Sequence, residues 1–396
     1  MVSYGAAAVA SVLRAINDHP WRPAHSATAI KPAPHIPLTI QKESLSTEPA
    51  SQFESRKKDH LRLALDESAQ VKDNGLDTIE LLHEALPDLD FDDVEIATRF
   101  GGHPLSSPLF VSSMTAGHDR SYAVNRVLAE FSSRRNILMG VGSQRRQLTD
   151  DYAAQEWKRL RGEFPAALLL GNLGLAQLIE NSTDDIRRLV DSIDALGLFV
   201  HLNSLQEVLQ PEGTPRFRGG LKKLEIVCRS LDVPVIVKEV GCGLSLSTLK
   251  RLDGTGIFAV DVGGYGGTHW GRIEGRRSQH NSRSAQAART FSDWGISTCD
   301  SLLYARQASV GYQIWASGGI RNGLDAAKAL AMGARMIGVA KPWLAALTDH
   351  ADDPVAALDL LADQIEFELR IAMFCTGCAN LKQLSTGNVW KCRQKI

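Results

Sequence analysis

Eight short apolar runs, set apart by longer amphipathic stretches, constrain this chain more than any other feature. The runs are LFVSSMT (109–115), LMGVGS (138–143), ALLLGNL (167–173), GLFVHLN (197–203), PVIVKEV (234–240), IFAVDVG (257–263), QIWASGG (313–319) and MIGVAKP (336–342). Strands buried on both faces read as near-continuous apolar runs, not as alternations. Segments 121–135, 183–196, 220–231, 298–309 and 322–332 between them read as helices. Eight such units within about 240 residues predict an α/β fold, a TIM (β/α)8 barrel with an N-terminal extension, since that barrel takes ~250 residues. A doubly wound open sheet is the alternative. Polar residues end nearly every run, and this favours the barrel, whose functional groups sit at the carboxyl ends of its strands. Segment 355–373 reads as a closing amphipathic helix and 374–396 as a C-terminal tail against the barrel.

The first fifty residues differ from the rest. Residues 1–21 could form one short helix, and a Pro, Ala, Ser and Thr-rich segment follows. Asp18 is the only acid before Glu43, which permits a transit-peptide reading. Basic residues are also few and no cleavage pattern is clear, so residues 1–52 read as a flexible extension or interaction tail. Residues 53–105 read as a lead-in of helix, turns and a short strand, and 106–396 as the barrel domain. A formal net charge of −1 gives no bulk electrostatic case for nucleic acid or membrane binding. No stretch resembles a membrane span. Six cysteines are too few for a disulfide scaffold and suit a reducing cytoplasm. Cys375 and Cys378 have CxxC spacing without a second pair, so buried thiols are the expectation.

The polar groups gather at strand ends. After the fourth run come His201, Asn203, Gln206 and Glu207 in VHLNSLQEVLQPEGTPRFRG (200–219). A carboxylate and amides so placed suit a hard cation bridging a polyoxygenated ligand. The cluster Arg56, Lys57, Lys58, Asp59 and His60 reads either as a solvated helix start or as a cationic clamp for an anion. ASGGIRNGLDAAKALAMGA (316–334) runs strand, glycine loop, helix. Gly318 and Gly319 admit close backbone approach, and the helix start favours an anion. Loops after the seventh and eighth strands often hold phosphate, so a mononucleotide, most commonly FMN, is the expected ligand. A second glycine loop, DVGGYGGTHW (261–270), could cover a flat ring or a phosphate. Lys238, if it points inward, needs an anionic partner, which a reduced flavin would supply.

Together these motifs resemble one family, the FMN-dependent type 2 isopentenyl-diphosphate isomerases. RKKDH (56–60), SMTAGH (113–118), GVGSQR (140–145), GNLG (171–174) and HLNSLQEVLQPEG (201–213) carry the resemblance. VKEVGCGLS (237–245), GGYGGTHWGRIEGRR (263–277), ASGGIRNG (316–323), GVAKP (338–342) and TGCANL (376–381) extend it to about residues 54–385. HLNxxQExxQPEG with VKEVGxG is its most specific part, whereas SGGIRxG is common to many flavin barrels. The resemblance implies conversion of isopentenyl diphosphate to dimethylallyl diphosphate in isoprenoid biosynthesis, by proton addition and removal at reduced FMN. It implies Mg²⁺, NADPH as reductant and a homo-oligomer, a tetramer or larger. Arg56, Lys57, Ser143, Gln144, Arg145 and Gln206 would bind the substrate, and Glu207 the metal. His201, Asn203 and Gln206 would be the catalytic residues lining the pocket. Ser113, Met114, Thr115, Ser143, Asn172, Lys238, Gly263, Thr268, Gly319, Ile320, Arg321, Ala340 and Lys341 would surround FMN.

The chain departs from the family's pattern in two places. Ala116 replaces a glycine in MTAG (114–117), and Gly263 stands where the family often has Ser, which would remove one hydroxyl contact to flavin. Three other readings stay open, one being an isomerase relative acting on a modified prenyl diphosphate, which the Ala116 and Gly263 changes allow. An FMN-dependent barrel oxidoreductase of the α-hydroxy acid oxidase type would need a His-Gly-x-Arg base motif, and the chain has no His-Gly dipeptide. A non-catalytic flavin- or prenyl-diphosphate-binding relative is opposed by the intact Arg56, Gln206, Glu207 and Lys238.

Overall fold

The computed structural model describes residues 50–71, 73–114, 119–278, 282–350 and 352–393, without the side chains of residues 50–55, 57, 58, 119 and 120. The helix expected within residues 1–21 and the extension through residue 49 lie outside them, whereas its last residues, 50–52, begin a helix.

All eight apolar runs form strands, and all but the third are shorter than their runs. They are Leu109–Val111 (β1), Leu138–Gly140 (β2), Leu168–Gly174 (β3), Gly197–Leu202 (β4), Val235–Glu239 (β5), Ala259–Asp261 (β6), Gln313–Ser317 (β7) and Ile337–Val339 (β8). Each pairs in parallel with its sequence neighbours, and β8 pairs with β1, so the sheet closes into a barrel. The register is tight between β4 and β5, with His201 beside Lys238 and Leu202 beside Glu239. Closure leaves no strand edge to pair with another chain.

The barrel interior is a packed core. Phe110, Leu138, Leu170, Phe199, Ile236, Ala259 and Trp315 are fully buried and face one another. Trp315 stands 5.3 Å from Phe110 and 6.0 Å from Phe199, ring centre to ring centre. A small residue opposite makes room: a Cβ on Gly338 would lie 2.5 Å from the Phe110 ring. The lead-in contains a two-stranded hairpin, Thr98–Phe100 with His103–Leu105. Its Phe100 packs on Phe258 and Trp315 at 5.4 and 5.8 Å, plugging the end of the barrel where the strands begin.

Helices cover the outside. Their starts follow from capping chemistry: Ser182 and Asp185 form a reciprocal capping box before Thr183–Ser192. The lead-in begins with helix Ala50–Leu65 (α1). A short helix, Ser204–Leu209 (α2), follows β4, and Trp270–Arg277 (α3) follows the β6 loop. Gly323–Ala331 (α4) follows β7, and its Asn322 cap accepts from the Asp325 N–H at 2.9 Å. The closing helix is Pro354–Phe374 (α5). A Cβ on Gly323 would lie 2.2 Å from the Ile365 carbonyl oxygen, so the backbones of α4 and α5 approach closely there.

Two expectations are corrected. Over 66–105, where helix, turns and a short strand were expected, the described residues form single 3₁₀ turns and the three short strands Ile79–Leu81, Thr98–Phe100 and His103–Leu105. The C-terminal segment is more than a tail: Leu381–Thr386 is helical, and Trp390–Cys392 pairs antiparallel with Ile79–Leu81. Among the described residues no helix is long and apolar enough to cross a membrane.

Replacing Phe100 with Ala should cost about 3–5 kcal/mol, the usual range for emptying a buried aromatic site. Urea unfolding of the purified variant measures this. A loss below about 1 kcal/mol would mean that the hairpin does not plug the core.

Candidate active site

The strands end in a cavity of about 620 Å³. Three kinds of wall meet there. The first is cationic and acidic. Arg56 from α1, Arg145 after β2, and His201, Asn203, Gln206 and Glu207 at β4 and α2 all line it. The second is backbone-rich: Gly266, Gly267, Gly318 and Gly319 come from the loops after β6 and β7. The third is apolar, from Leu61, Ala64, Val71, Leu344 and Trp270.

The first wall rests on one buried carboxylate. Glu274 of α3 is fully buried. Its Oε1 lies 2.8 Å from His60 Nε2 and accepts from Gln206 Nε2 at 3.1 Å. Arg277 pairs with its Oε2. With the Gln210 amide turned to satisfy its neighbours, its nitrogen donates to Glu274 Oε1 at 3.2 Å and its oxygen accepts from Arg56 Nη1 at 2.8 Å. Burial opposes ionisation of Glu274, but the His60 hydrogen bond and charge, with Arg277 and Gln206, outweigh it and hold the carboxyl down at about 2. Sequence reasoning missed Glu274, because RIEGRR reads as a solvated charged face. The signal was Trp270, Ile273 and Glu274 sharing one helical face.

Asn203 is buried and donates to Gln206 Oε1 at 3.1 Å and to Glu207 Oε1 at 3.0 Å. Its own oxygen has no partner. Glu207 Oε2 accepts from the Thr214 N–H, so the carboxylate is held at both ends on the cavity wall. No described group of three or more His, Cys, Asp and Glu side chains could hold a metal ion by itself. His201 places Nδ1 2.9 Å from Asn172 Oδ1.

Lys238 points into the barrel mouth and is buried. Its Nζ donates to the Glu239 carbonyl at 2.8 Å, and Asp261 is its register partner on β6. The protein therefore supplies carboxylates beside this lysine. Burial pulls Lys238 down and pushes Asp261 up, each toward neutrality, while their mutual attraction opposes both shifts. Asp261 also accepts from Ser317 Oγ at 2.7 and 2.9 Å. Glu239 turns its Oε2 onto the N–H groups of Val240, Gly241 and Cys242. Burial outweighs those hydrogen bonds and raises its carboxyl to about 7.

The glycine wall is a tight cradle. Gly318 and Gly319 have φ of +100° and +74°, and a Cβ on either would lie 2.1 Å from a backbone oxygen of Gly264 or Gly266. Asn74 braces the loop by donating to the Gly319 carbonyl at 2.7 Å. Ser112 and Ser113 each keep a buried hydroxyl that has no partner among the described residues.

Of the expected residues, Ser113, Met114, Ser143, Asn172, Gly263, Thr268, Gly319, Ile320, Arg321, Ala340 and Lys341 also line the cavity. Thr115 and the Lys57 side chain lie outside the described residues, as does Ala116. Gln144 does not line it: its amide donates to the Leu189 carbonyl at 3.1 Å and accepts from the Asn172 N–H at 3.0 Å. It holds β3 in place. The Arg321 guanidinium is committed to Asp325 and Asp77, and Lys341 to Glu67. Gly263 is not a lost serine contact. Its φ is +47°, and a Cβ would lie 2.1 Å from the Glu239 carbonyl oxygen. Gln70, bridged to Thr268 at 3.1 Å, straps the lead-in over the glycine loop.

The geometry can be set beside known proteins. A family model described as FMN-dependent dehydrogenase matches residues 203–391. Solved structures of a mandelate oxidase and a flavocytochrome b2 superpose with TM-scores of 0.54 and 0.58 at 16% identity, covering 84% and 86% of this chain and 93% and 84% of theirs. That likeness concerns the fold. Sequence relatives go further. A protein of Bdellovibrio bacteriovorus named isopentenyl-diphosphate delta-isomerase is 56% identical, over 86% of this chain and 98% of its own. Proteins of the same name are 48% identical in Legionella pneumophila, over 84% and 97%, and 39% identical in Nostoc, over 86% and 96%. Such identity, carried along nearly the whole of each relative, is kinship beyond a common barrel, and the chain belongs to the isopentenyl-diphosphate delta-isomerase family.

Proposed function

We infer that the protein converts isopentenyl diphosphate to dimethylallyl diphosphate, with FMN as cofactor and Mg²⁺ bridging the diphosphate. The observation that carries this reading is one cavity with an arginine–carboxylate wall facing a glycine cradle.

The residues suit both groups. The cradle at Gly318 and Gly319 has backbone where a side chain would collide, as a phosphate needs. The partnerless hydroxyls of Ser112 and Ser113 want a polar ligand. Lys238 would face the electron-rich edge of the ring, and Met114, Thr115, Asn172, Thr268, Ile320 and Ala340 would frame it. Arg321 and Lys341, already paired with carboxylates, would help fix the cradle. Glu207 is a single carboxylate, which fits Mg²⁺ because that ion keeps water and takes phosphate oxygens as its other ligands.

Each side chain then has a task. Arg56, Lys57, Ser143 and Arg145 would hold the diphosphate, whose charge would otherwise be costly in a closed site. Anchoring that remote end orients the carbons that react. Gln206, fixed between Asn203 and Glu274, would close the pocket beside them. A proton joins the terminal methylene of the alkene, the tertiary carbon becomes electron-poor, and a proton leaves the carbon next to it. His201 and Asn203 border that region of the cavity. Reduced FMN, when bound, supplies an electron-rich face beside the developing positive charge. The reaction has no net redox change, so NADPH would serve only to keep the flavin reduced.

The test is anaerobic incubation of the protein with FMN, Mg²⁺, NADPH and isopentenyl diphosphate. Dimethylallyl diphosphate should appear only with reduced flavin and Mg²⁺ together, and its absence with reduced flavin bound would sink the reading. Glu207→Gln should lower turnover on the order of 100-fold or more. Lys238→Ala should weaken FMN binding more than about tenfold, read by flavin fluorescence. Glu239 yields a pH prediction. Its folded value of about 7 stands above the ordinary carboxyl value. Its contribution to stability is thus complete below ~4.3 and is lost as pH rises through about 7. Glu239→Gln should therefore flatten the fall in urea midpoint between about pH 5 and pH 8, and equal slopes would remove Glu239 as the titrating group.

A further inference from the structure

The carbonyls of the glycine loop after β7 are each held by a group outside the cavity. Ser317 O accepts from the Gly264 N–H at 2.9 Å and lies 3.2 Å from Thr298 Oγ1. Gly318 O accepts from Thr298 Oγ1 at 2.6 Å, and Gly319 O from Asn74 Nδ2 at 2.7 Å. Gly318, Gly319 and Ile320 line the cavity, whereas Asn74 and Thr298 stand behind them. In a planar trans peptide the N–H points opposite to the C=O. With the Gly318 and Gly319 carbonyls turned outward, the N–H groups of Gly319 and Ile320 are turned the other way.

Among the described residues nothing accepts from either of these two amides. Gly267 keeps the approach to one of them open, since a Cβ there would stand 2.7 Å from the Gly319 nitrogen. The amides that follow are already committed. Arg321 gives its N–H to Asp325 Oδ2 at 3.1 Å, Gly323 to Glu368 Oε2 at 2.7 Å and Asp325 to Asn322 Oδ1 at 2.9 Å. Carboxylates thus answer the start of α4, and in this loop the Gly319 and Ile320 amides remain for an anion.

We propose that Asn74 and Thr298 are positioning residues for the cofactor's phosphate. The inference rests on the reading that FMN places its phosphate in this cradle. Two adjacent glycines leave their peptide planes free to turn, and a turned plane would aim a carbonyl oxygen at the anion. A hydrogen bond to each carbonyl prevents that. Both holders are fully buried, so a turned carbonyl would leave each donor without water or partner. Asn74 is itself fixed. Its Oδ1 accepts from the Leu76 N–H at 2.9 Å, and its main-chain oxygen accepts from the Cys299 N–H, next to Thr298, at 3.0 Å. Lys328 of α4 donates to the Leu76 carbonyl at 2.9 Å, and Arg321 pairs with Asp77. The lead-in thus serves the cofactor end of the cavity through Asn74, as it serves the opposite wall through Arg56.

The test compares binding of FMN and of riboflavin, the same ring without the phosphate, to the flavin-free full chain by fluorescence. Thr298→Val keeps the shape and loses the hydroxyl. Asn74→Asp keeps the acceptor for Leu76 and sets an oxygen against the Gly319 carbonyl. Each should weaken FMN binding about tenfold or more, the share of a charge-assisted hydrogen bond, and leave riboflavin within about twofold. Thr298→Ser restores the hydroxyl and should restore FMN binding. If the urea midpoint shows that Asn74→Asp does not fold, Thr298→Val decides. Equal losses for the two flavins would make these residues general supports of the fold and overturn the proposal, as would an unchanged FMN affinity. Wild-type protein that held riboflavin as tightly as FMN would overturn the phosphate placement and the proposal with it. The measurement needs no turnover, so a loss confined to FMN in a protein that fails to isomerise would indict the substrate reading alone.

Discussion

The rim of this barrel depends on one ionised carboxylate kept out of water. Glu274 is acceptable in its place only because His60, Gln206, Gln210 and Arg277 surround it. A buried charge without such partners would cost several kcal/mol. The partners come from α1, α2 and α3, so the need to satisfy one group fixes three helices relative to one another. Arg56 reaches the cavity through the same set, by way of Gln210. Charge satisfaction at the rim joins the apolar packing of Leu63 and Ala69 on Ile273 in bringing the lead-in to the site.

A second balance is struck at the base of the cavity. Lys238 sits among Asp261 and Glu239, so this region carries one cation and two carboxyl groups. Burial disfavours every charge there, pulling Lys238 down and pushing Asp261 and Glu239 up. The strand pairing enforces the crowding, because Lys238 and Asp261 are neighbours in register. The core beneath is dry and aromatic, and the contrast between Trp315 below and Lys238 above marks where packing ends and chemistry begins.

The barrel was legible because its strands are buried on both sides and so are written as apolar runs. The floor was not. TRF and HPL are strands of three residues with one buried apolar residue each, too short for any periodicity to register. The polar cluster at 201–207 was legible as a concentration of unlike groups. Glu274 was hidden among arginines. Gln144 stands beside Ser143 and Arg145 in sequence, but the 3₁₀ turn Gln144–Leu148 sends it toward Leu189 instead of the cavity. Gly263 looked like a missing hydroxyl, and its positive φ against the Glu239 carbonyl shows a position where a side chain does not fit.

The pairing of Trp390–Cys392 with Ile79–Leu81 has a consequence for how the molecule comes into being. During synthesis the N-terminal part of a chain emerges first and can fold at once. Ile79–Leu81 must wait, since its partner is among the last described residues to leave the ribosome. The same early stretch leads back to α1 and the strap at Gln70. A nascent barrel can thus close and pack while its lead-in is still untied at one end, and the finished rim is a late event that waits until residues 390–392 have been made.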